Sequence, residues 1–280
     1  MSIVPDLIQH PFLRNALAAG VLASVACGVV GSFVVARRIT YVAGGIAHCV
    51  LGGLGAARYC QVRLGWDWFD PLLGALLSAL LAAGIIGFAA LRLRQREDTV
   101  IGAVWAVGMA VGLMFIQATP GYSTDLMGYL FGDILLVAPR DLWLIAAVDI
   151  LVIVVTILMF HRFVAISFDE EFARLRGVAT QQQYLLLLAL VAITVVVLMK
   201  VVGIVLVVAL LTLPVAIAGT IARSLGAMIV YAVLLTMIFT SGGLVLSYEP
   251  DWPAGATIIL LCGVAYLLSV ARKSFRAARD

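Results

Sequence analysis

The feature that most constrains this chain is a series of apolar runs, each long enough to cross the ~30 Å hydrocarbon core of a membrane. Seven runs have the length of one span, and an eighth, at 182–221, has about twice that length. The seven cover residues 15–36, 41–59, 71–91, 100–118, 142–160, 226–247 and 254–271. Only 12% of the residues are charged, against about a quarter in soluble proteins. The sequence therefore predicts an all-α polytopic membrane protein, with residues 1–280 forming a single transmembrane domain.

The double-length run decides whether the chain crosses the membrane eight or nine times. A break near Lys200 and Gly203 divides it into two spans. Glycine is a weak helix former, and a lysine is costly at the bilayer centre but tolerated near an interface. A re-entrant arrangement of part of the run would leave eight crossings. The prediction is a bundle of 8–9 transmembrane helices.

The basic residues of the loops predict the orientation, because lysine and arginine are enriched on the cytoplasmic side of membrane proteins. With the Arg37-Arg38 turn placed inside, alternation of the spans puts 13 of the 18 basic residues on that same side. We therefore expect the N-terminus outside and the C-terminus in the cytoplasm. The opposite, outer side is acidic, which suits a cation or a basic partner.

Composition and motifs argue against several other classes of function. The net charge of +3 comes without a basic run interleaved with aromatics, so binding to nucleic acid is not expected. The four cysteines form no CxxC pair, which argues against a zinc ribbon. Neither lysine, Lys200 or Lys273, stands in a G-x-x-x-x-G-K motif. The chain therefore lacks a P-loop and is not expected to be an enzyme, and any ATP hydrolysis would need a separate subunit.

A histidine stands inside the glycine-rich second run. In a helix, the neighbours of His48 at three and four residues include Gly44, Gly45 and Gly52, while Gly53 belongs to an adjacent ridge of small residues. Such small residues let helix backbones approach closely in lipid. Ionisable groups inside a membrane tend to be functional. We expect His48 to bind a cation, with a hydrogen bond to a backbone carbonyl as the structural alternative.

Asp149 is the second intramembrane candidate. It lies about seven residues from the outer end of its span, whereas His48 lies about seven residues from the inner end of its own, so each is about 10 Å from its membrane edge. Both are predicted metal ligands, as successive positions on one cation pathway or, if the helices tilt, at one level. The structural alternative for Asp149 is a hydrogen bond to a hydroxyl.

Two polar stretches interrupt the apolar pattern. The outer one, at about 120–141, is too short to span and predicts a helix at the surface or one that re-enters the membrane. The inner one predicts a short helix over about 167–178, with Ser167 as cap, acidic residues in the first turn, Arg174 near the end and Gly177 as terminator. Its apolar stripe is a plausible docking surface for an ATPase. The predicted coupling residues are Ser167, Phe168, Asp169, Glu170, Glu171, Phe172, Arg174 and Gly177.

Seven segments, spread over nearly the whole chain, follow the order of one known family. They are GSFVVARRITY at 31–41, Ala47-His48 with Leu51-Gly52-Gly53, EDTVIG at 97–102, FGDILL at 131–136, SFDEEFARLRG at 167–177, Leu213-Pro214, and LSYEPDWP at 246–253. By these segments the chain resembles the membrane permease subunits of bacterial and archaeal ABC importers for zinc, manganese and iron.

The resemblance implies the compact bundle of type II importers and a homodimer with a pathway between or within its protomers. It also implies two cytoplasmic ABC ATPase subunits, an extracytoplasmic metal-binding protein and a place in the lipid of a prokaryotic cell membrane. The segment 167–178 would be the coupling helix that sits in an ATPase groove. Zinc and manganese members carry an aspartate four residues before the histidine, where this chain has Gly44. Asp149 is the candidate replacement for that ligand.

The predicted function is the permease subunit of an ATP-driven importer for a divalent transition-metal ion (zinc, manganese or iron), with no resident cofactor. The alternative is an ion-coupled secondary transporter of a metal or solute that acts without an ATPase, which His48, Asp149 and Lys200 would favour. An intramembrane hydrolase with His48 as base is disfavoured, because the adjacent Cys49 points about 100° away on a helix.

Overall fold

The fold is a bundle of α-helices. A computed structural model describes residues 10–92, 96–119, 132 and 134–277, and a short 3-10 turn, Ile134–Leu136, precedes the fifth helix. The helices of the described residues are α1 (Pro11–Ala36), α2 (Tyr41–Leu64), α3 (Pro71–Arg92), α4 (Glu97–Ala118), α5 (Pro139–Phe168), α6 (Glu170–Leu175), α7 (Thr180–Val202), α8 (Ile204–Ile221), α9 (Leu225–Tyr248) and α10 (Ala254–Ala277).

Eight of these helices are long and apolar enough to cross a membrane. The ninth long helix, α2, has 24 residues, enough to span, but its glycines, His48 and Arg58 make it less apolar. α2 is nevertheless well buried over residues 42–57, so this part of it lies inside the bundle. The prediction of an all-α polytopic membrane protein with 8–9 membrane helices is confirmed.

The double-length apolar run is divided at Gly203, as predicted. Gly203 has a φ of +82° and lies between the end of α7 and the start of α8. Glycine adopts this backbone region without the steric cost that a Cβ atom brings. Lys200, in the last turn of α7, pairs with Asp141 in the first turn of α5, with 2.8 Å between Nζ and Oδ1. The break therefore separates two full helices.

Two groups of helices make up the bundle, and α7 joins them. α2 packs against α3 and α4, while α1 packs against α5, α8 and α9. α7 contacts members of both groups, including α3 and α5. α1 and α7 are the two most buried spans, which places both at the centre of the protein.

Glycines bring α2 into backbone contact with its neighbours. A Cβ atom at Gly53 would overlap the carbonyl oxygen of Gly74 on α3, and one at Gly52 would lie 3.1 Å from the carbonyl oxygen of Gly108 on α4. At Gly45 a Cβ would lie 2.8 Å from Cγ2 of Ile101. Such close approaches favour helix association in lipid, where apolar burial gives little drive.

Replacing Gly53 with alanine is expected to destabilise the protein strongly, because the new methyl group meets backbone that cannot move away independently. Overpacking of this kind costs about 1–3 kcal/mol, which corresponds to a drop of roughly 2–12 °C in melting temperature for a chain of this size. Gly84→Ala is the matched control, since a Cβ at Gly84 meets nothing within 4 Å. Thermal unfolding in detergent measures both variants, and an equal effect of the two would contradict the packing account.

The predicted surface or re-entrant helix falls mostly on residues 120–131 and 133, which lie outside the described residues. The described part of that stretch holds the 3-10 turn and the start of α5. α5 begins with Pro139 in its first turn, and the Asp141 carboxylate accepts a hydrogen bond from the Ala138 amide at 3.3 Å. Pro139 and the Ala138–Asp141 hydrogen bond thus form the N-terminal cap of α5.

Candidate metal site and coupling segment

His48 lies on α2 and stacks against Trp105 of α4. The two ring centroids are 4.5 Å apart and the ring planes differ by 13°. Nδ1 of His48 is buried and has no hydrogen-bond partner among the described residues, so this nitrogen does not make the carbonyl bond considered as the structural alternative. A buried, unpaired nitrogen costs about 1–3 kcal/mol. The geometry leaves the imidazole available to a ligand.

Gly44 provides the space that the stack needs. It lies one turn before His48, and a Cβ atom there would be 3.0 Å from Cζ3 of Trp105. Any larger side chain at this position would push the indole away from the imidazole. The residue that departs from the family pattern is thus the one that lets Trp105 lie flat on His48.

Trp105 was not predicted from the sequence, although one signal was present. The other tryptophans, Trp66, Trp68, Trp143 and Trp252, stand at or outside the ends of the apolar runs, where aromatic residues anchor membrane proteins at the interface. Trp105 stands in the interior of α4, eight residues after its first residue. A tryptophan at that depth needs an explanation, and its contact with His48 supplies one.

A cavity of about 370 Å³ adjoins this site. Gly44 and Trp105 form part of its wall, and none of the described residues that line it is charged. Its polar groups are the hydroxyls of Thr40, Tyr41, Thr212 and Tyr266. Since Thr40 and Tyr41 precede Gly44 on the chain, the cavity extends from the site toward the Arg37-Arg38 turn.

Asp149 occupies a different helix interface. It is only 5% exposed, its Oδ1 accepts a hydrogen bond from the amide of Ala26 on α1 at 3.1 Å, and its Oδ2 is buried without a partner among the described residues. The structure therefore places Asp149 between α5 and α1, whereas His48 lies between α2 and α4. Within the described part of the chain, no group of three or more His, Cys, Asp or Glu side chains forms a metal cluster.

The predicted cytoplasmic helix is shorter than the 167–178 range and begins at a different residue. α6 covers Glu170–Leu175, and its cap is Asp169, whose Oδ1 accepts a hydrogen bond from the Phe172 amide at 2.8 Å. Ser167 is not the cap, because it still belongs to α5 and its hydroxyl donates to the Phe163 carbonyl. Gly177, with a φ of +80°, follows the end of the helix.

The apolar side chains of this segment point into solvent. Phe168, Phe172 and Leu175 are all exposed, and Leu175 is 82% exposed. The guanidinium of Arg176 covers one face of the Phe172 ring at 5.1 Å. The three acids have separate surroundings, since Asp169 caps the helix, Glu170 pairs with Arg37 and Glu171 is exposed. We call the exposed set Phe168, Phe172 and Leu175 the α6 apolar surface.

Comparison with known proteins decides the family. A family model described as the ABC 3 transport family matches residues 9–273. The chain belongs to the ABC 3 transport family. Its members are membrane permeases of ABC transporters and are not themselves enzymes. The resemblance drawn from the sequence segments is thereby confirmed.

Relatives of this ABC 3 family chain cover almost its whole length. A probable metal transport system membrane protein of Chlamydia muridarum is 40% identical over 263 residues, which are 94% of this chain and 89% of the relative. The manganese transport system membrane protein MntC of Halalkalibacterium halodurans is 30% identical over 94% of this chain and 88% of its own length. The chain is thus similar to metal transport permeases from end to end.

A solved structure shares the fold of this ABC 3 family chain. The complex described as PsaBC from Streptococcus pneumoniae with Fab superposes with a TM-score of 0.82 at 30% identity, covering 95% of this chain and 94% of the other. Almost the whole helical bundle therefore has an equivalent in that structure.

Proposed function

We propose that this protein is the permease subunit of an ATP-driven importer for a divalent transition-metal ion, and that His48 contacts the ion during its passage. The observation that carries the proposal is the buried, unpaired Nδ1 of His48 on the face of Trp105. A neutral imidazole is a common ligand for zinc and iron. The names of the relatives, metal and manganese transport proteins, support the cargo class.

A transport site must release its ion, so few protein ligands are expected. A closed four-ligand shell is typical of structural zinc sites and binds tightly, whereas conduction needs binding weak enough to let the ion leave. His48 with water would meet that requirement. The cavity beside Gly44 and Trp105, whose described lining residues are uncharged, then offers hydroxyl groups rather than charged ligands to an ion that leaves His48.

Asp149 is proposed as a second polar position on the route rather than as a ligand that shares one ion with His48. α2 packs on α3 and α4, and α5 packs on α1 and α7, so the two residues belong to different parts of the bundle. The buried Oδ2 of Asp149 is free to accept a ligand. A carboxylate oxygen suits manganese as well as an imidazole suits zinc.

We further propose a homodimer that works with two cytoplasmic ATPases and an extracytoplasmic binding protein. α4 and α10 are apolar, yet only 22% of the most apolar part of α4 and 17% of that of α10 is buried within the protomer. Their exposed faces leave surface for a second copy, and α4 is the helix that packs on His48. The α6 apolar surface is the proposed ATPase contact. We expect the complex to lie in a prokaryotic cell membrane, with the N-terminus of the permease outside and its C-terminus in the cytoplasm.

The source of energy separates this proposal from a secondary transporter. Purified permease and its ATPase, reconstituted in vesicles with zinc, manganese or iron, are expected to take up metal only with hydrolysable ATP. A proton gradient without ATP should give no uptake above that of empty vesicles. Uptake that follows the gradient and ignores ATP would favour the ion-coupled alternative.

A further inference from the structure

Arg37 joins four elements of the fold at the end of α1. Its side chain is 9% exposed. One guanidinium nitrogen donates to the carbonyl oxygen of Ile166 near the end of α5 at 2.8 Å, and another lies 3.2 Å from Oε2 of Glu170 on α6. The guanidinium also stacks 4.3 Å from the ring centre of Tyr184 on α7.

A second carboxylate lies within electrostatic reach of the same guanidinium. Glu97, the first residue of α4, is within electrostatic reach of Arg37, of Tyr184 and of Glu170. Arg37 thus pairs with an acid on α6 and is also under the electrostatic influence of an acid on α4. The planar guanidinium holds five donors in a fixed geometry that serves several partners at once, whereas a lysine is a point charge on a flexible stem.

The backbone fixes the position of Arg37. Its amide donates to the Phe33 carbonyl at 2.9 Å, which ends α1, and the Ile39 amide returns to the Val34 carbonyl at 3.0 Å. The intervening Arg38 has a φ of +62°, the left-handed conformation that commonly ends a helix. The backbone of Arg37 is therefore fixed to the end of the central helix α1, and the guanidinium extends from this fixed position.

We propose that Arg37 is a positioning residue that transmits movement of α6 to α1 and α4 during transport. The proposal rests on the proposed role of α6 as the ATPase contact. Displacement of α6 changes the Glu170 contact with Arg37 and, through it, the balance with Glu97. Trp105 lies eight residues further along α4, about 12 Å at the helical rise, and it stacks on His48. Arg37 and α4 thus connect the proposed ATPase contact with the candidate metal site.

Neutral substitutions test this role without placing a wrong charge in the interior. Permease–ATPase complexes carrying Arg37→Gln, Glu170→Gln or both are compared with wild type for ATPase co-purification, melting temperature, and metal ions imported per ATP hydrolysed. Arg162→Gln is the control, because Arg162 is an exposed arginine of α5 whose described polar contact is Sδ of Met159, three residues earlier.

Each single variant is expected to retain the ATPase but to lose at least about 10-fold in ions imported per ATP. Because the two residues act through one contact, the double variant should lose no more than the worse single one. Glu170→Gln alone decides the matter if Arg37→Gln fails to fold, since the Glu170 side chain is 32% exposed. The Arg162→Gln ratio should equal that of wild type.

Three results would overturn the proposal: an unchanged ratio of ions to ATP in Glu170→Gln, losses that multiply in the double variant, or loss of the ATPase itself from Glu170→Gln, which would make Glu170 a docking residue. A different result would contradict the proposed function itself: a wild-type permease that neither retains an ATPase nor imports metal. In that case the role of Arg37, which depends on the proposed function, would also be wrong.

Discussion

His48→Ala is expected to lower ATP-dependent metal uptake at least about 10-fold. Changes that only disturb the support of a metal ligand cost about 10–100-fold in affinity or activity, and this substitution removes the imidazole itself. The α6 apolar surface belongs to another part of the chain, so the variant should still carry its ATPase. Uptake into reconstituted vesicles, measured with zinc, manganese and iron separately, gives the result.

His161→Ala is the matched control for this prediction. His161 directly follows the apolar run 142–160. It is exposed on α5 and touches the ring of Phe160 rather than α2 or α4. Its uptake should equal that of wild type. If His48→Ala imports all three metals at the wild-type rate, His48 does not contact the ion and the proposed site is wrong.

Leu175→Asp is expected to release the ATPase from the complex. Burial of a leucine side chain in an interface contributes about 1.5–3 kcal/mol, which corresponds to roughly 10–150-fold in affinity, and a buried carboxylate adds a desolvation cost. Phe172→Asp should act in the same direction. Co-purification of the ATPase with tagged permease at several ATPase concentrations measures the loss.

The control for this second prediction is Leu136→Asp. Leu136 is 81% exposed, almost the same as Leu175, but it lies in the 3-10 turn before α5, which is expected on the opposite side of the membrane. The ATPase should stay bound to this variant. Retention of the ATPase by both Leu175→Asp and Phe172→Asp would show that α6 is not the contact.

The spans and their break could be read from the sequence because both have simple physical causes. Apolar length identifies a membrane helix, and a glycine beside a lysine marks where a double run is interrupted, as Gly203 and Lys200 do. The sequence predicts Ser167 as the cap of α6, whereas Asp169 caps it in the structure. Both residue types cap helices equally well, and the continuation of α5 through Phe168 depends on tertiary packing that composition does not reveal.

Only part of the candidate site can be predicted from the sequence. Position along a span gives the depth of His48 and Asp149, but it does not give the direction in which each helix faces. That direction follows from packing, which turns His48 toward Trp105 and Asp149 toward the Ala26 amide. From the sequence, Gly44 indicates only that a metal ligand is missing at this position. The structure shows that the lack of a side chain at Gly44 also leaves room for the indole ring of Trp105.

X-ray absorption at the metal edge tests the central claim most directly. Metal bound to the reconstituted wild-type complex is expected to show an imidazole nitrogen among its ligands, at about 2.0–2.1 Å for zinc, and this nitrogen should be absent in His48→Ala and present in His161→Ala. A ligand shell made only of oxygens in the wild type, or one that keeps its imidazole in His48→Ala, would contradict the account.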